Sequence, residues 1–218
     1  MERYDLTKES DRLSLVEQVF IYPSTPHKRK HGPRGYTTPE PYREWLRDEF
    51  SYRCVFSLAR ETWGSWSDTF EIDHLEPRSS RPDLICEYDN LLYLTHRLNL
   101  IRGKRAIPDP CQIAMGECLK VNTHGDRLGF VETLNEVGER IERVFKLNSD
   151  KAVEWRANWL GILRCLAFSD EKMFRRMIGY PLDLYDLDEK KNPENTRKEG
   201  LKLSAHFLQK AGALPEWC

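Results

Sequence analysis

Glu71-Ile72-Asp73-His74-Leu75-Glu76-Pro77-Arg78-Ser79, then Tyr88-Asp89-Asn90-Leu91, then Arg97-Leu98-Asn99-Leu100-Ile101-Arg102-Gly103-Lys104, are the stretches on which the reading of this chain turns. The residues leading into the first, Thr69 to Asp73, are β-branched, aromatic and alternating, and so is Tyr52 to Phe56 before them. Together these predict a hairpin with its loop around Gly64. From Asp89 through Asn99 the apolar residues fall at helical spacing, and Gly103 and Pro108 supply a stop. The expected order is strand, strand, loop, helix. Upstream, Pro39-Glu40-Pro41 opens a short helix over Tyr42 to Phe50.

Asp-His at a strand end suits phosphodiester cleavage. That reaction needs a base to activate water, a divalent cation to neutralise developing phosphate charge, and a scaffold holding both in line. His74 is the candidate base, because an unperturbed imidazole titrates at about 6.5. The Asp73 carboxylate and the Asn99 amide oxygen, brought back by the helix, make a sparse hard-oxygen ligand set of the kind magnesium accepts, with manganese as an alternative. Arg102 and Lys104, at a basic helix end, are candidates for binding nucleic-acid phosphates, and Arg78 and Arg81 are candidates of the same type. His96, about one turn before Asn99, reads as a solvent-facing or capping residue.

The pattern D-H-x-x-P-x-S, then N-L, then N-x-x-x-G-K, fitted by Asp73 to Ser79, Asn90-Leu91 and Asn99 to Lys104, resembles the HNH endonuclease family over roughly residues 42 to 108. The resemblance implies a ββα-metal core. It assigns His74 as general base, Asp73 and Asn99 as metal ligands, and Asn90 as the middle residue of the catalytic trio, pinning the loop by hydrogen bonding. It implies DNA as the substrate, without excluding RNA, and a setting such as a restriction or anti-phage system. Many family members frame the site with two C-x-x-C pairs that hold zinc. The corresponding positions here are Cys54-Val55-Phe56-Ser57 and Thr95-His96-Arg97-Leu98, so three of four ligands are missing. Packing of Cys54, Phe56 and Leu98 is expected in place of a structural zinc, as in the HNH domain of RNA-guided nucleases.

Two other chemistries are set aside. His74-Leu75-Glu76 matches the H-x-E of zinc deaminases, but Pro110-Cys111 is not followed by a second cysteine at the required spacing. A nucleophile elbow for serine or cysteine hydrolysis is also missing from the sequence.

Composition bounds the rest. The 218 residues are 39% hydrophobic and 32% charged, as in a globular chain, and no apolar run approaches a membrane span. The charged start Met1-Glu2-Arg3-Tyr4-Asp5 and the six cysteines, none in a C-x-x-C pair, point to a reducing cytoplasm with free thiols. A net charge of -1 confines any attraction for nucleic acid to local clusters, of which His27-Lys28-Arg29-Lys30-His31 with Arg34 is the densest. The expected architecture is α+β: an N-terminal helical segment and basic loop over 1–41, the ββα-metal core over 42–110, and a mostly helical region over 111–218. Helices are expected over Phe130 to Leu147, over Lys151 to Phe168 with Trp155, Trp159 and Leu163 on its core face, and over Glu199 to Ala211. A polar, turn-prone stretch runs from Asp186 to Thr196. Such a weakly charged chain also admits a second reading. In it the protein is an effector subunit that depends on a protein partner, docked on the C-terminal region through residues such as Leu182, Leu184 and Tyr185.

Overall fold

Four consecutive buried residues, Leu91, Leu92, Tyr93 and Leu94, form the centre of the molecule. A run this short and this apolar does not declare its period, and burial on both faces makes it a strand rather than the helix expected there. In the computed structural model, which describes residues 4–64, 69–188 and 197–217, this strand (β2, Leu91–Thr95) pairs antiparallel with β1 (Phe70–His74). The register sets Phe70 opposite Thr95 and His74 opposite Leu91. The chain then turns directly into a short helix, α3 (His96–Arg102), which Gly103 ends at φ 58.

Tyr52 to Phe56 is not the partner strand. Ser51, Tyr52 and Leu58 all have positive φ, the Leu58 N–H donates to the Cys54 carbonyl, and the segment makes one isolated bridge, Arg53 to Arg60. A strand cannot propagate through such a tight turn. The turn instead delivers Cys54 and Phe56 to the core, where Leu98 also lies, as expected from their packing role. The Phe56 ring lies 4.5 Å from that of Phe145, centroid to centroid.

Around the hairpin sit α1 (Glu9–Gln18), α2 (Arg43–Glu49), α4 (Glu136–Phe145), α5 (Asp150–Ser169), α6 (Glu171–Ile178), α7 (Lys198–Leu201) and α8 (Ala205–Lys210). The helix α2 packs on both strands, α3 on both strands and α4, and α5 on α1 and α6. One continuous apolar core runs from Leu6 to Leu187, drawing on all three stretches of the chain. The α+β class holds, but the C-terminal half carries a second small hairpin, β3 (Leu119–Val121) with β4 (Val131–Thr133). The helix expected from Phe130 therefore starts only at Glu136, where the Asn135 side chain accepts from the Gly138 N–H. The α5 helix follows its expectation: Leu163 is buried, and Trp159 stacks on Trp63 at 4.8 Å. Glu199 to Ala211 divides into α7 and α8 at Ser204, whose hydroxyl accepts from the Phe207 N–H as an N-cap. Part of the polar stretch, 189–196, lies outside the described residues. No described helix is long and apolar enough to cross a membrane.

Candidate active site at the hairpin end

Residues two apart on a strand share a face, so Glu71 and Asp73 project together from β1 toward α3. Each meets its own set of side chains there. Glu71 accepts from Asn99 Nδ2 at 2.6 Å and pairs with His96 Nδ1 at 2.6 Å. Asp73 uses Oδ1 to accept the His74 N–H at 2.8 Å and Oδ2 to accept from Arg102 Nη1. No hydrogen bond links Asp73 to Asn99, though both sit at the β1–α3 interface.

His74 is the last residue of β1 and is buried. Its Nε2 lies 3.0 Å from the Ile85 carbonyl oxygen, which can only accept, so Nε2 carries the proton. That leaves Nδ1 with a lone pair, aimed toward Arg78, whose Nε donates to it at 3.3 Å. Burial holds the imidazole below its ordinary pKa, and the neighbouring Arg78 charge adds to the effect. His74 is therefore a ring of fixed tautomer, whose basic Nδ1 accepts from the guanidinium of an exposed arginine.

The loop that supplies the Ile85 carbonyl is held by Asn90. Its Oδ1 accepts from the Glu76 N–H at 2.8 Å, and its Nδ2 donates to the Leu84 carbonyl at 3.1 Å and the Glu76 carbonyl at 3.2 Å. The Leu75 N–H adds a bond to the Asn90 carbonyl at 2.8 Å. Asn90 thus ties both ends of the 75–89 loop and acts on His74 through it.

Arg102 is a correction. It was expected on phosphate, yet it is 1% exposed. Besides Asp73, its guanidinium donates to the carbonyls of His74 at 2.6 Å, Leu75 at 2.6 Å and Arg105 at 2.9 Å. A buried guanidinium with four of its five N–H groups on protein acceptors is not presented to a ligand; Arg102 clamps the end of β1 to α3. The expected basic cluster is corrected in the same way. His27 pairs with Glu49 at 2.8 Å, while Lys30 and His31 pair with Asp48 at 3.2 and 2.7 Å. Arg29 donates to the Leu91 carbonyl at 2.7 Å and lies over the rings of Phe50 and Tyr88. His27, Lys30 and His31 strap the N-terminal loop to the buried carboxylates of α2, and Arg29 ties it to β2. Arg81 is spent on Asp83 at 2.6 Å. Arg78 and Lys104 remain exposed, and neither forms an ion pair among the described residues.

No protein-family model, curated protein or solved structure matches the chain. The site is therefore read from its own residues.

A divalent cation fits the donors on this face. Arg102 and the His74 N–H occupy two of the roughly four lone-pair positions of the Asp73 carboxylate, leaving acceptor capacity. The bond from Asn99 Nδ2 to Glu71 fixes the amide so that its oxygen is not spent on Glu71, and that oxygen makes no hydrogen bond among the described residues. Among the described residues no three His, Cys, Asp or Glu side chains converge as a metal cage. Glu71 was quoted in the sequence motif but given no role. The alternation that puts it two residues before Asp73 on a strand was the signal that could have found it.

Proposed function

We propose that the protein is a metal-dependent endonuclease of the HNH type, hydrolysing phosphodiester bonds in DNA. The observation that carries this reading is the state of His74: proton fixed on Nε2 by the Ile85 carbonyl, basic Nδ1 turned to the exposed Arg78 and bonded only to it at 3.3 Å, at the same strand end as the Asp73 carboxylate. In this reading His74 Nδ1 takes the proton from the attacking water. Arg78, beside Nδ1, attracts the phosphate and keeps the ring neutral at rest by disfavouring its protonation. Asn90 fixes the loop that sets the tautomer. Asp73 and Asn99 would hold a magnesium or manganese ion, with Glu71 orienting the Asn99 amide. When bound, that ion supplies charge neutralisation for the scissile phosphate. Lys104, exposed beyond α3, adds a contact to flanking phosphate.

The test is plasmid nicking by the purified chain with magnesium or manganese, with and without chelator, alongside His74→Ala. Metal-dependent nicking that disappears in the variant is the expected result. Equal nicking by wild type and variant would refute the assignment of His74.

A second reading is supported by the fate of the basic loop: with His27, Lys30 and His31 paired to Asp48 and Glu49, less of its charge is left to grip DNA. Leu182 is 87% exposed and Tyr185 42%, a surface on which a protein partner could deliver the nuclease to DNA. Cleavage by the isolated chain at moderate salt would remove the need for that partner.

A further inference from the structure

A cavity of about 460 Å³ lies on the far side of α3, between the hairpin and the α4–α5 junction. Its size is that of small-molecule sites, roughly 300–1,000 Å³. One wall is aromatic, with Trp63 and Trp155, whose ring centroids are 5.9 Å apart. The charged lining groups are of one sign: Arg60, Arg97 from α3, Lys146 from the left-handed C-cap of α4, and Arg156 from α5, with no Asp or Glu among the described lining residues. Arg97 and Lys146 are exposed at the mouth and form no ion pair among the described residues.

Arg156 is the unusual member. It is 2% exposed, and its described partners are the carbonyls of Gly129, at 2.6 Å, and Leu147. No carboxylate among the described residues balances it, and burial depresses its affinity for its proton. A buried guanidinium held only by neutral acceptors, below two unpaired surface cations and an indole wall, is a site short of one negative charge. A lipid or other neutral apolar ligand would leave that charge unmet. A metal ion would meet these cations and no carboxylate among the described lining residues.

We propose that this cavity is a nucleotide-binding site, with the base on the Trp63–Trp155 wall and the phosphate between Arg97 and Lys146 above Arg156. Aromatic stacking and cation contacts to phosphate are the two recurring terms in sequence-tolerant nucleotide recognition. The ligand is either a free nucleotide or a nucleotide of a bound single strand. His96 lines the cavity and also pairs with Glu71, so occupancy is felt at the residue that holds Asn99. Binding in the cavity does not require cleavage and is tested without it.

The experiment is a tryptophan-fluorescence titration of the full chain in chelator, using AMP, ATP, adenosine and a short single-stranded oligodeoxynucleotide. Saturable quenching is expected with a phosphate-bearing ligand, adenosine binding at least about tenfold more weakly, as the loss of a charge-assisted contact implies. Raising the salt should weaken the binding. Binding of AMP or ATP identifies a free nucleotide as the ligand, and binding of the oligonucleotide alone identifies a strand. In either case Arg97→Glu combined with Lys146→Glu, both exposed and away from the core, should cost about tenfold or more while circular dichroism stays unchanged. No saturable quenching by any phosphate-bearing probe, adenosine binding as tightly as AMP, or unchanged affinity in the double variant would each overturn the proposal.

Discussion

Replacing Arg102 by methionine removes the cation but keeps much of the side chain's volume, so it isolates the electrostatic role of the clamp. The variant leaves the Asp73 carboxylate, 8% exposed, without a counterion, and leaves the carbonyls of His74 and Leu75 without this donor. Breaking a buried pair by removing one partner costs about 3–5 kcal/mol, and each stranded acceptor adds about 1 kcal/mol or more. A loss of about 5–7 kcal/mol is a large part of the about 5–15 kcal/mol that holds a domain together. The loss should also depend on pH. Burial already raises the Asp73 pKa even with Arg102 in place, and without Arg102 it rises further. A carboxyl whose folded pKa lies above its unfolded value favours folding as pH falls, so the variant should recover part of its stability under mild acid. Adding Asp73→Asn should recover much of it at neutral pH. Urea unfolding at pH 7 and pH 5 on wild type, Arg102→Met and the double variant measures all three. A single variant within about 1 kcal/mol of wild type, a shift that the exposed members of a surface pair could give, would refute the clamp and return Arg102 to the surface role expected of it from sequence.

Three further outcomes follow from the geometry. Because burial and Arg78 hold the His74 imidazole below its ordinary pKa, the acid limb of kcat/KM for cleavage should have its midpoint below about 6.5, and Arg78→Ala should move that limb upward; the pH–rate profiles of the two proteins read this directly. Asn90→Ala removes the three side-chain hydrogen bonds that close the 75–89 loop, so it should cost about 1–3 kcal/mol in chemical unfolding and lower kcat more than it raises KM. Glu49 is held down to about 2 by its hydrogen bonds from His27, Lys30 and His31, and Asp48 is lowered by His31 and Lys30, so both carboxylates outweigh the burial that opposes their charge. Groups with depressed folded pKa values stabilise above their unfolded values, near 4, and that stability is lost as pH falls toward the folded ones. Wild type should therefore lose stability steeply between about pH 4.5 and 2, and Glu49→Gln should show a shallower fall from a lower starting point.

The residues proposed to carry chemistry stand close together in the sequence, and that local spacing is what made them candidates. Asp73 and His74 are adjacent, Asn90 opens β2, and Asn99 lies within the seven-residue α3 that follows. The partner of β1 was misplaced for a physical reason: Leu91 to Leu94 is buried on both faces and carries no alternation, whereas Tyr52 to Phe56 has strand-forming residues in a turn with positive φ. Side-chain direction was the other thing hidden. Nothing local says that Arg102 turns inward to Asp73, or that the cations of 27–31 meet Asp48 and Glu49 seventeen or more residues later. Both depend on tertiary contacts that convert apparent phosphate binders into internal counterions. The β3–β4 hairpin escaped notice because three-residue strands are too short to show a period.

The central claim, that His74 Nδ1 is the base of a phosphodiester hydrolysis, is tested most directly by chemical rescue. His74→Gly should cleave plasmid DNA with magnesium or manganese at least about a hundredfold more slowly than wild type, as loss of a general base implies, and added imidazole should restore part of the rate. A His74→Gly protein that cleaves as fast as wild type without imidazole would contradict the account.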